Sequence, residues 1–447
     1  MGHEVEINKL GQKIEWNHPL YHFKRKVWNS HIDQYPAIIF DCKCEEDVIA
    51  AVQYAKQNGY HITVRGGGFH PAGKSVKNDA VLIDLTNMNQ ISIDEVSKIA
   101  VVEAGVKTYE VDEVTQEYGL AVPLGMVSNI GVAGLALGGG IGYLRGKHGL
   151  TSDNVVGVHL VTADGKLLYV NQFEHPELFW AIRGAGSNFG IVTKFELKLH
   201  QTGPNVLAVD VSYDYNDIRQ VLNKADNYRK QAPDDIAFNL IITNMNQEQK
   251  VSQPAVRLIG MYDGQLNLQV EKEIIQPLLE LATPTKDDTE ITTYLDMQKK
   301  FDSLVREGFA IEGISLFLNQ LTQDLIEMLL EELEKTMIPA TIHLIELHGK
   351  INRISKFDTA FNIRDASYLL VIDAEIASHP EETKEWIHSM YEKLLPHSYN
   401  QTSYLNSSLV CEEVIRNTYQ CIHKQLVVLK KEYDPDNLFC PEHKLID

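Results

Sequence analysis

Two glycine-rich stretches decide the fold: Val64-Arg65-Gly66-Gly67-Gly68-Phe69-His70, and Gly131-Val132-Ala133-Gly134-Leu135-Ala136-Leu137-Gly138-Gly139-Gly140-Ile141-Gly142. The first follows directly on a strand-like apolar run, Ile62–Arg65. The second belongs to a segment that opens at Gly125. A third cluster is Gly184-Ala185-Gly186-Ser187-Asn188-Phe189-Gly190. Glycine has no Cβ, so its backbone approaches a ligand closely and presents bare N–H groups to phosphate oxygens. Tight turns need glycine as well, so one cluster alone decides nothing. Three between Val64 and Gly190, with glycine sparse afterwards, point to one shared pyrophosphate-bearing ligand. The third cluster fits G-x-G-x-x-x-G, the start of a nicotinamide-binding reading. That motif requires strand, loop, helix, with the pyrophosphate at the helix N-terminus. Here a helical stretch, Pro176–Arg183, precedes the loop and an alternating strand, Ile191–Leu199, follows it. The order is reversed and the Rossmann reading fails.

Around the clusters, helices and strands alternate in short pieces. Ala37–Asp41 reads as a buried strand. Glu45–Asn58 carries Val48, Ile49, Val52 and Ala55 at helical spacing, and Gly59 stops it. Strand-like runs follow at Val81–Leu85 and Ile99–Glu103, then a helix over Thr108–Tyr118. Val155–Val170 reads as a hairpin around Ala163-Asp164-Gly165. This is an α+β pattern, not a regular βαβ repeat. Past Gly203-Pro204 glycine thins and charge rises. Strand-like runs at Val206–Ser212, Ala255–Tyr262, Thr341–Leu347 and Tyr368–Glu375 alternate with amphipathic helices at Asp217–Gln231, Leu268–Leu281, Gln323–Met337 and Glu382–Leu395. One sheet covered by helices fits, with a domain boundary near residue 203.

A chain of 447 residues is too long for one simple core. Its net charge of −20 argues against nucleic acid or an anionic membrane as the main partner, since both need a cationic face. Five cysteines, with Cys42 and Cys44 as a lone C-x-C, suggest neither a disulfide scaffold nor a metal site. The stretch Leu120–Leu144 is uncharged and long enough to span a bilayer, but its seven glycines and Pro123 break a helix. No signal-peptide core is visible at the start, so the expectation is a cytoplasmic protein without a membrane partner.

These clusters resemble the FAD-linked oxidase superfamily typified by vanillyl-alcohol oxidase, and within it the berberine-bridge-enzyme-like branch. The match is carried further by His148-Gly149-Leu150-Thr151-Ser152-Asp153-Asn154, by Val161-Thr162-Ala163-Asp164-Gly165 and by His175-Pro176-Glu177-Leu178-Phe179-Trp180-Ala181. Gly186-Ser187-Asn188-Phe189-Gly190-Ile191-Val192-Thr193 and Tyr433-Asp434-Pro435-Asp436-Asn437-Leu438-Phe439 extend it over nearly the whole chain. The resemblance implies a two-part FAD domain of the PCMH type, residues 30–203 plus a C-terminal segment, 408–447, that returns to it. A substrate domain, 204–407, with an antiparallel sheet covered by helices, is inserted between. It implies oxidation of a small hydroxylated or activated C–H substrate by hydride transfer to flavin N5, with O2 or another acceptor taking the electrons. The alternative within this resemblance is a flavin-binding protein with lost or altered turnover.

The resemblance also implies which residues hold the flavin. From the first cluster these are Arg65, Gly66, Gly67, Gly68, Phe69 and His70, with Ser75 beyond. From the second they are Gly125, Val127, Ser128, Gly131, Gly134, Leu135, Gly138, Gly139, Gly140 and Gly142. His148, Gly149, Asp153, Gly190, Ile191, Val192, Asn406 and Asn437 complete the set. Members often bond the flavin through a histidine where Phe69 stands and a cysteine where Val127 stands, so a non-covalent FAD is expected. A basic residue is common where Cys440 follows Phe439. The family's Tyr-x-Asn-Tyr becomes Tyr404-Leu405-Asn406-Ser407, which leaves Tyr404 as a candidate base. Glu346 and His348 share one face of the expected Thr341–Gly349 strand, because strand side chains alternate, and are candidates beside it. Ile130 occupies the place that gates oxygen in the family, where valine leaves space and a longer side chain blocks it.

Overall fold

The computed structural model describes residues 11–245, 251–305, 308–376, 379–407, 412–439 and 445. Cys440 lies outside the described residues. β1 (Gln12–Ile14), β2 (Ile38–Asp41), β3 (Ile62–Arg65) and β4 (Val81–Asp84) form a small sheet in the order β1-β2-β4-β3. β4 runs parallel to both β2 and β3. The helix Glu45–Asn58 makes the crossover between β2 and β3, as parallel pairing demands. Its Val48, Ala51, Val52 and Ala55 are buried, and Gly59 ends it with a φ of 73° that favours glycine.

The chain continues through β5 (Ile91–Asp94), β6 (Ile99–Glu103), β7 (Leu120–Ala121), β8 (Val155–Val161), β9 (Leu167–Asn171), β10 (Ile191–Lys198) and β11 (His200–Gln201). Five of these build an antiparallel sheet, β5-β6-β10-β8-β9, while β7 and β11 pair separately. The hairpin expected around Ala163-Asp164-Gly165 is β8–β9. Both sheets share one apolar core, and C-terminal residues Ile415, Tyr419, Leu426, Leu429, Leu438 and Phe439 complete it. The amide of Ile62 donates to the Leu438 carbonyl at 2.9 Å. Lys430 locks this return: its buried ammonium donates to Asp434 and to the carbonyls of Asn188 and Phe439.

The third sheet begins just after Gly203-Pro204. It comprises β12 (Asn205–Tyr213), β13 (Ile236–Met245), β14 (Val251–Tyr262), β15 (Pro284–Asp287), β16 (Glu290–Thr293), β17 (Ile311–Leu318), β18 (Ala340–Glu346) and β19 (Tyr368–Glu375). The order is β15-β12-β14-β13-β18-β19-β17, with β16 also on β12, and every pairing is antiparallel. Helices Ile218–Arg229, Gln323–Lys335 and Pro380–Leu394 cover one face. Ile342 and Leu344 of β18 and Leu370 and Ile372 of β19 pack among Leu325, Leu329 and Ile387 of these helices. Because strand side chains alternate, the odd-numbered residues of the same strands face the glycine loops.

Several elements differ from the sequence reading. β13 and β17 were not anticipated: Ile236-Ala237-Phe238 and Gly313-Ile314-Ser315-Leu316-Phe317 are buried on both faces, which removes the alternation that marks a strand. The helix expected over Leu268–Leu281 is broken into Leu268–Val270, a wide turn at Glu271–Ile275, and Gln276–Leu279. Pro277, lacking an N–H and crowding the preceding turn, sits at that break. β18 ends at Glu346, so His348 lies beyond the strand expected to carry it.

Candidate flavin and substrate site

A cavity of about 400 Å³ lies between the glycine loops and the open face of the third sheet. The loops meet there backbone to backbone. A Cβ on Gly67 would fall 2.4 Å from the Gly131 nitrogen, and one on Gly131 would fall 2.3 Å from the Gly67 nitrogen. Only glycine permits that approach. Gly134 is different: it lines the cavity, and a Cβ there would meet nothing within 4 Å. Its missing side chain is cavity space. Among the described residues, the amides of Gly67, Gly68, Phe69 and His70 donate to no protein acceptor.

Polar atoms left over inside the cavity test what would fill it. Trp28 Nε1, Thr63 Oγ1, Ser75 Oγ and His343 Nδ1 are buried without a protein partner, and all four residues line the cavity. Each such atom costs about 1–3 kcal/mol if nothing satisfies it. Free amides and orphaned hydroxyls in the same cavity as Gly134 suit a pyrophosphate and its sugars. Apolar Val127, Leu135, Ile141, Ile191 and Val192 suit a flat ring system. The residues present therefore fit FAD.

The cavity brings together most of the residues expected from the sequence: Gly66, Gly67, Gly68, Phe69, His70, Ser75, Gly125, Val127, Gly131, Gly134, Leu135, Gly138, Gly190, Ile191, Val192, Tyr404 and Asn406 all line it. Phe69 stacks on Trp28 at 4.6 Å between ring centroids. His70 has both ring nitrogens engaged: Nδ1 accepts from the Ala72 amide at 3.0 Å, which leaves Nε2 to donate to the Leu405 carbonyl at 2.9 Å. Burial, with Lys74 nearby, pushes its pKa down to about 3, so the ring is neutral. Tyr404 does not look like a base. Its hydroxyl accepts from the Gly140 amide at 3.0 Å and from Asn406 at 3.3 Å, and burial raises its pKa further. With no cation at its oxygen, the phenol stays protonated and orients the Gly138–Gly140 turn against Asn406.

Other expected residues stand outside the cavity, each for a physical reason. Arg65 is turned away onto Asp84, its guanidinium Nε donating to the buried carboxylate at 3.1 Å. Ser128 spends its amide and hydroxyl on Asp302. Gly139 faces Phe361, whose ring lies 2.7 Å from where a Cβ would be. Gly140 faces Thr151 at 2.1 Å and Gly142 the Leu124 carbonyl at 1.6 Å. The second half of that cluster thus packs chain against chain. His148 stacks on His200 at 3.8 Å. Gly149 turns the chain with φ 80° beside Asp153, and Asp153 forms a two-pronged buried pair with Arg364 at 2.7 and 2.9 Å. Asn437 sits in a left-handed turn, and its carbonyl faces His61 Nδ1 at 3.2 Å.

Glu346 and His348 also lie outside, and here the sequence reading is corrected. The two are in contact, but His348 lies past the end of β18, and the even-numbered positions of β18 point to the helices, not to the cavity. Glu346 is fully buried and accepts from Arg145 Nη2 at 2.9 Å and from the Phe238 amide at 3.2 Å. Its other oxygen meets His348 Nδ1, and His348 Nε2 donates to the Pro233 carbonyl at 3.1 Å. Both imidazole nitrogens face acceptors, so the ring carries two protons. The residues that do face the cavity from β17, β18 and β19 are Ile311, His343, Ile345, Leu369, Val371 and Asp373. His343 and Asp373 were missed. The available signal was a lone ionisable side chain inside each of two largely apolar stretches, Thr341-Ile342-His343-Leu344-Ile345 and Leu370-Val371-Ile372-Asp373-Ala374.

Comparison with known proteins agrees with this geometry. Residues 36–171 match a family model described as an FAD binding domain. An FAD-linked oxidoreductase of Dictyostelium discoideum is 30% identical over 423 residues, covering 93% of this chain and 89% of that one. The (R)-6-hydroxynicotine oxidase of Paenarthrobacter nicotinovorans is 42% identical over 182 residues, 41% of this chain and 40% of its own length. The crystal structure of 6-hydroxy-D-nicotine oxidase from Arthrobacter nicotinovorans superposes with a TM-score of 0.87 at 27% identity, covering 98% of both chains. A berberine-bridge-enzyme-like protein of the moss Physcomitrella patens, at 22% identity, shares the fold with a TM-score of 0.89 over 98% of this chain and 97% of that one. No helix of the described residues is long and apolar enough to cross a membrane. The chain belongs to the FAD-linked oxidoreductases of the PCMH-type FAD-binding superfamily, and its fold is that of the berberine-bridge-enzyme-like branch.

Proposed function

We propose that this FAD-dependent oxidoreductase oxidises a small hydroxylated or activated C–H substrate by hydride transfer to flavin N5, and that its FAD is held without a covalent bond. When bound, FAD supplies the two-electron acceptor; the chain supplies binding, orientation and a dry site. The observation that carries this reading is the division of one cavity into two halves. One half has free amides, Thr63, Ser75 and Gly134; the other has the apolar side chains of β17, β18 and β19 with two titratable groups among them.

The chain's residues divide the work accordingly. Gly66–His70 and Gly131–Gly134 would hold the pyrophosphate. Asn406 and Tyr404 brace the Gly138–Gly140 turn at the cavity wall. Phe301, Ile311, Ile345, Leu369 and Val371 exclude water from the reacting carbon. We place the FAD domain at residues 30–203 with 408–447, and the substrate domain at 204–407. Phe69 in the place of a bonding histidine, Val127 in the place of a bonding cysteine, and the double engagement of His70 support non-covalent attachment. O2 or another acceptor reoxidises the flavin.

A screen of small alcohols and amines against the yellow protein under anaerobic conditions tests the reading. Bleaching of the visible flavin band by at least one, with product formed in equal amount, is the expected result. A protein purified with FAD that no reductant of this kind bleaches would favour lost turnover instead.

A further inference from the structure

Asp112 and Gln298 meet between the glycine-loop half and the third sheet, and neither lines the cavity. Asp112 lies on the helix Thr108–Gln116, Gln298 ends the helix Tyr294–Gln298, and both side chains are buried. Gln298 Nε2 donates to Asp112 Oδ2 at 3.1 Å and reaches the Gly125 carbonyl at 3.4 Å. The other oxygen of each group, Asp112 Oδ1 and Gln298 Oε1, is buried without a partner. Turning the amide over gives no relief, because its oxygen would then face Asp112 Oδ2 and the Gly125 carbonyl oxygen. A carboxyl and a carboxamide are both planar and two-ended. One proton on Oδ1, donated to Oε1, satisfies both orphans and closes the pair at its second end.

The surroundings keep that proton in place. Burial raises the Asp112 pKa to about 7; the Gln298 bond opposes the rise and the Glu113 carboxylate adds to it. No cation acts on Asp112. On its own helix, Glu110 is spent on the Lys107 amide, and Glu113 stands 4.0 Å from Lys299. From the helix Tyr294–Gln298 the buried Tyr294 phenol faces it, held neutral by burial and by Asp112 itself. Asp94 of β5 is exposed and accepts from the amides of its own turn. β7 and residues 122–130 carry no titratable side chain.

Residues 294–304 grip residues 125–130 at two points. Gln298 reaches the Gly125 carbonyl, and Asp302 accepts from the Ser128 amide at 2.9 Å and from its hydroxyl at 2.5 Å. Gly125, Met126, Val127 and Ile130 line the cavity, and so does Phe301 from between the two grips. We infer that Asp112 is a positioning residue: as a neutral acid paired at both ends with Gln298 it fixes this cavity wall, and loss of its proton to solvent releases the Gln298 grip and loosens the wall. Without the proton, Oδ1 and Oε1 are two acceptors with nothing to share, and they repel. The inference rests on the proposed flavin site only for what the wall encloses.

The test compares holoenzymes at about pH 6 and about pH 8, either side of the Asp112 value. Hydrogen–deuterium exchange with mass spectrometry follows the peptide over residues 122–132. Two proteins compared at one pH share the same intrinsic exchange chemistry. Asp112→Asn copies the neutral acid, offering an N–H to Oε1 and an oxygen to Nε2. It should match wild type at the lower pH and be several-fold better protected at the higher. Gln298→Leu has no pair to lose and should exchange fast at both. Stopped-flow reoxidation of dithionite-reduced enzyme by O2 is the second readout. The ratio of wild-type to Asp112→Asn rates cancels the flavin's own titration, and should climb from unity to several-fold as pH rises. Equal exchange in these two proteins at the higher pH, or a ratio that stays at unity, overturns the inference. Should Asp112→Asn not fold, Gln298→Leu replaces it as the reference. Wild-type protection that falls to the Gln298→Leu level only at the higher pH then supports the pair; wild type matching Gln298→Leu at both, or keeping its protection at both, overturns it. A purified wild type without FAD would defeat the flavin function instead, and exchange alone would still decide the pair.

Discussion

At Phe69 and His70 the first glycine loop decides how the flavin is held. A histidyl bond needs a free imidazole nitrogen at the ring. Phe69 has none and is stacked on Trp28; His70 has both nitrogens occupied, and Pro71 after it restricts its backbone. A cysteinyl bond needs a thiol, and Val127 has none. Acid precipitation of the yellow protein should therefore leave flavin in the supernatant. Flavin retained in the pellet of wild type and released from His70→Ala would show that His70 bonds after all. The glycines can be separated the same way. Gly134→Leu puts a side chain into open cavity and should give a folded, colourless protein by circular dichroism and absorbance. Gly139→Leu meets the Phe361 ring at a φ of 121° and should destabilise the fold by about 1–3 kcal/mol instead. The sequence identifies the cluster but not this division of labour. A glycine that admits a ligand and one that admits a neighbouring chain look alike until their surroundings are known. Arg65, His148 and Asp153 fall outside the cavity for the same reason: charge and spacing do not say which way a side chain turns.

Among the elements, strand parity explains both what was legible and what was not. The helix Glu45–Asn58, the β8–β9 hairpin and helices Gln323–Lys335 and Pro380–Leu394 keep one polar face, and their period is visible in the sequence. β13 and β17 are apolar on both faces and carry no period to read. Alternation along the expected strand set Glu346 beside His348, but β18 ends at Glu346, and the two meet through a contact at that end; alternation alone does not name the face. The cavity face was the other one, with His343 and Ile345. The segment Gly125–Gly131 carries its own prediction. It is held rigid by bonds from the Thr108 amide to the Ile130 carbonyl at 2.8 Å and from the Tyr109 amide to the Ser128 carbonyl at 2.9 Å. Ile130 lines the cavity from this fixed frame. Shortening it opens space that the frame does not reclaim. Stopped-flow mixing of reduced enzyme with O2 should show slow reoxidation in wild type and several-fold faster reoxidation in Ile130→Val; equal rates would remove Ile130 as a gate.

The molecule as a whole is closed by one buried cluster that crosses from the glycine-loop half to the third sheet. Arg145, without exposed surface, donates to the Glu346 carbonyl and carboxylate, to the Phe238 carbonyl and to Asn239. Glu346 in turn holds His348. Removing the shared anion leaves two buried cations facing each other, so Glu346→Gln should cost about 3–5 kcal/mol in denaturant unfolding. Protonation acts on the same cluster from both ends of the pH scale. For Glu346 burial alone would raise the pKa, but His348, Arg145 and the Phe238 amide outweigh it and the value is lowered. Its contribution is present above the unfolded carboxyl value of about 4.3 and is lost as pH falls through the lower folded value. For His348 burial alone would lower the pKa, but Glu346 and the Pro233 carbonyl outweigh it and the value is raised. Its contribution is complete below the unfolded imidazole value of about 6.5 and is lost as pH rises through the higher folded value. The unfolding midpoint of wild type should therefore decline as pH climbs from about 6.5. In His348→Gln that alkaline decline should shrink, because the glutamine keeps a hydrogen bond to Glu346 but has no proton to lose. A mutant curve parallel to wild type across that window would mean that His348 is neutral in the folded protein and that Arg145 alone balances Glu346.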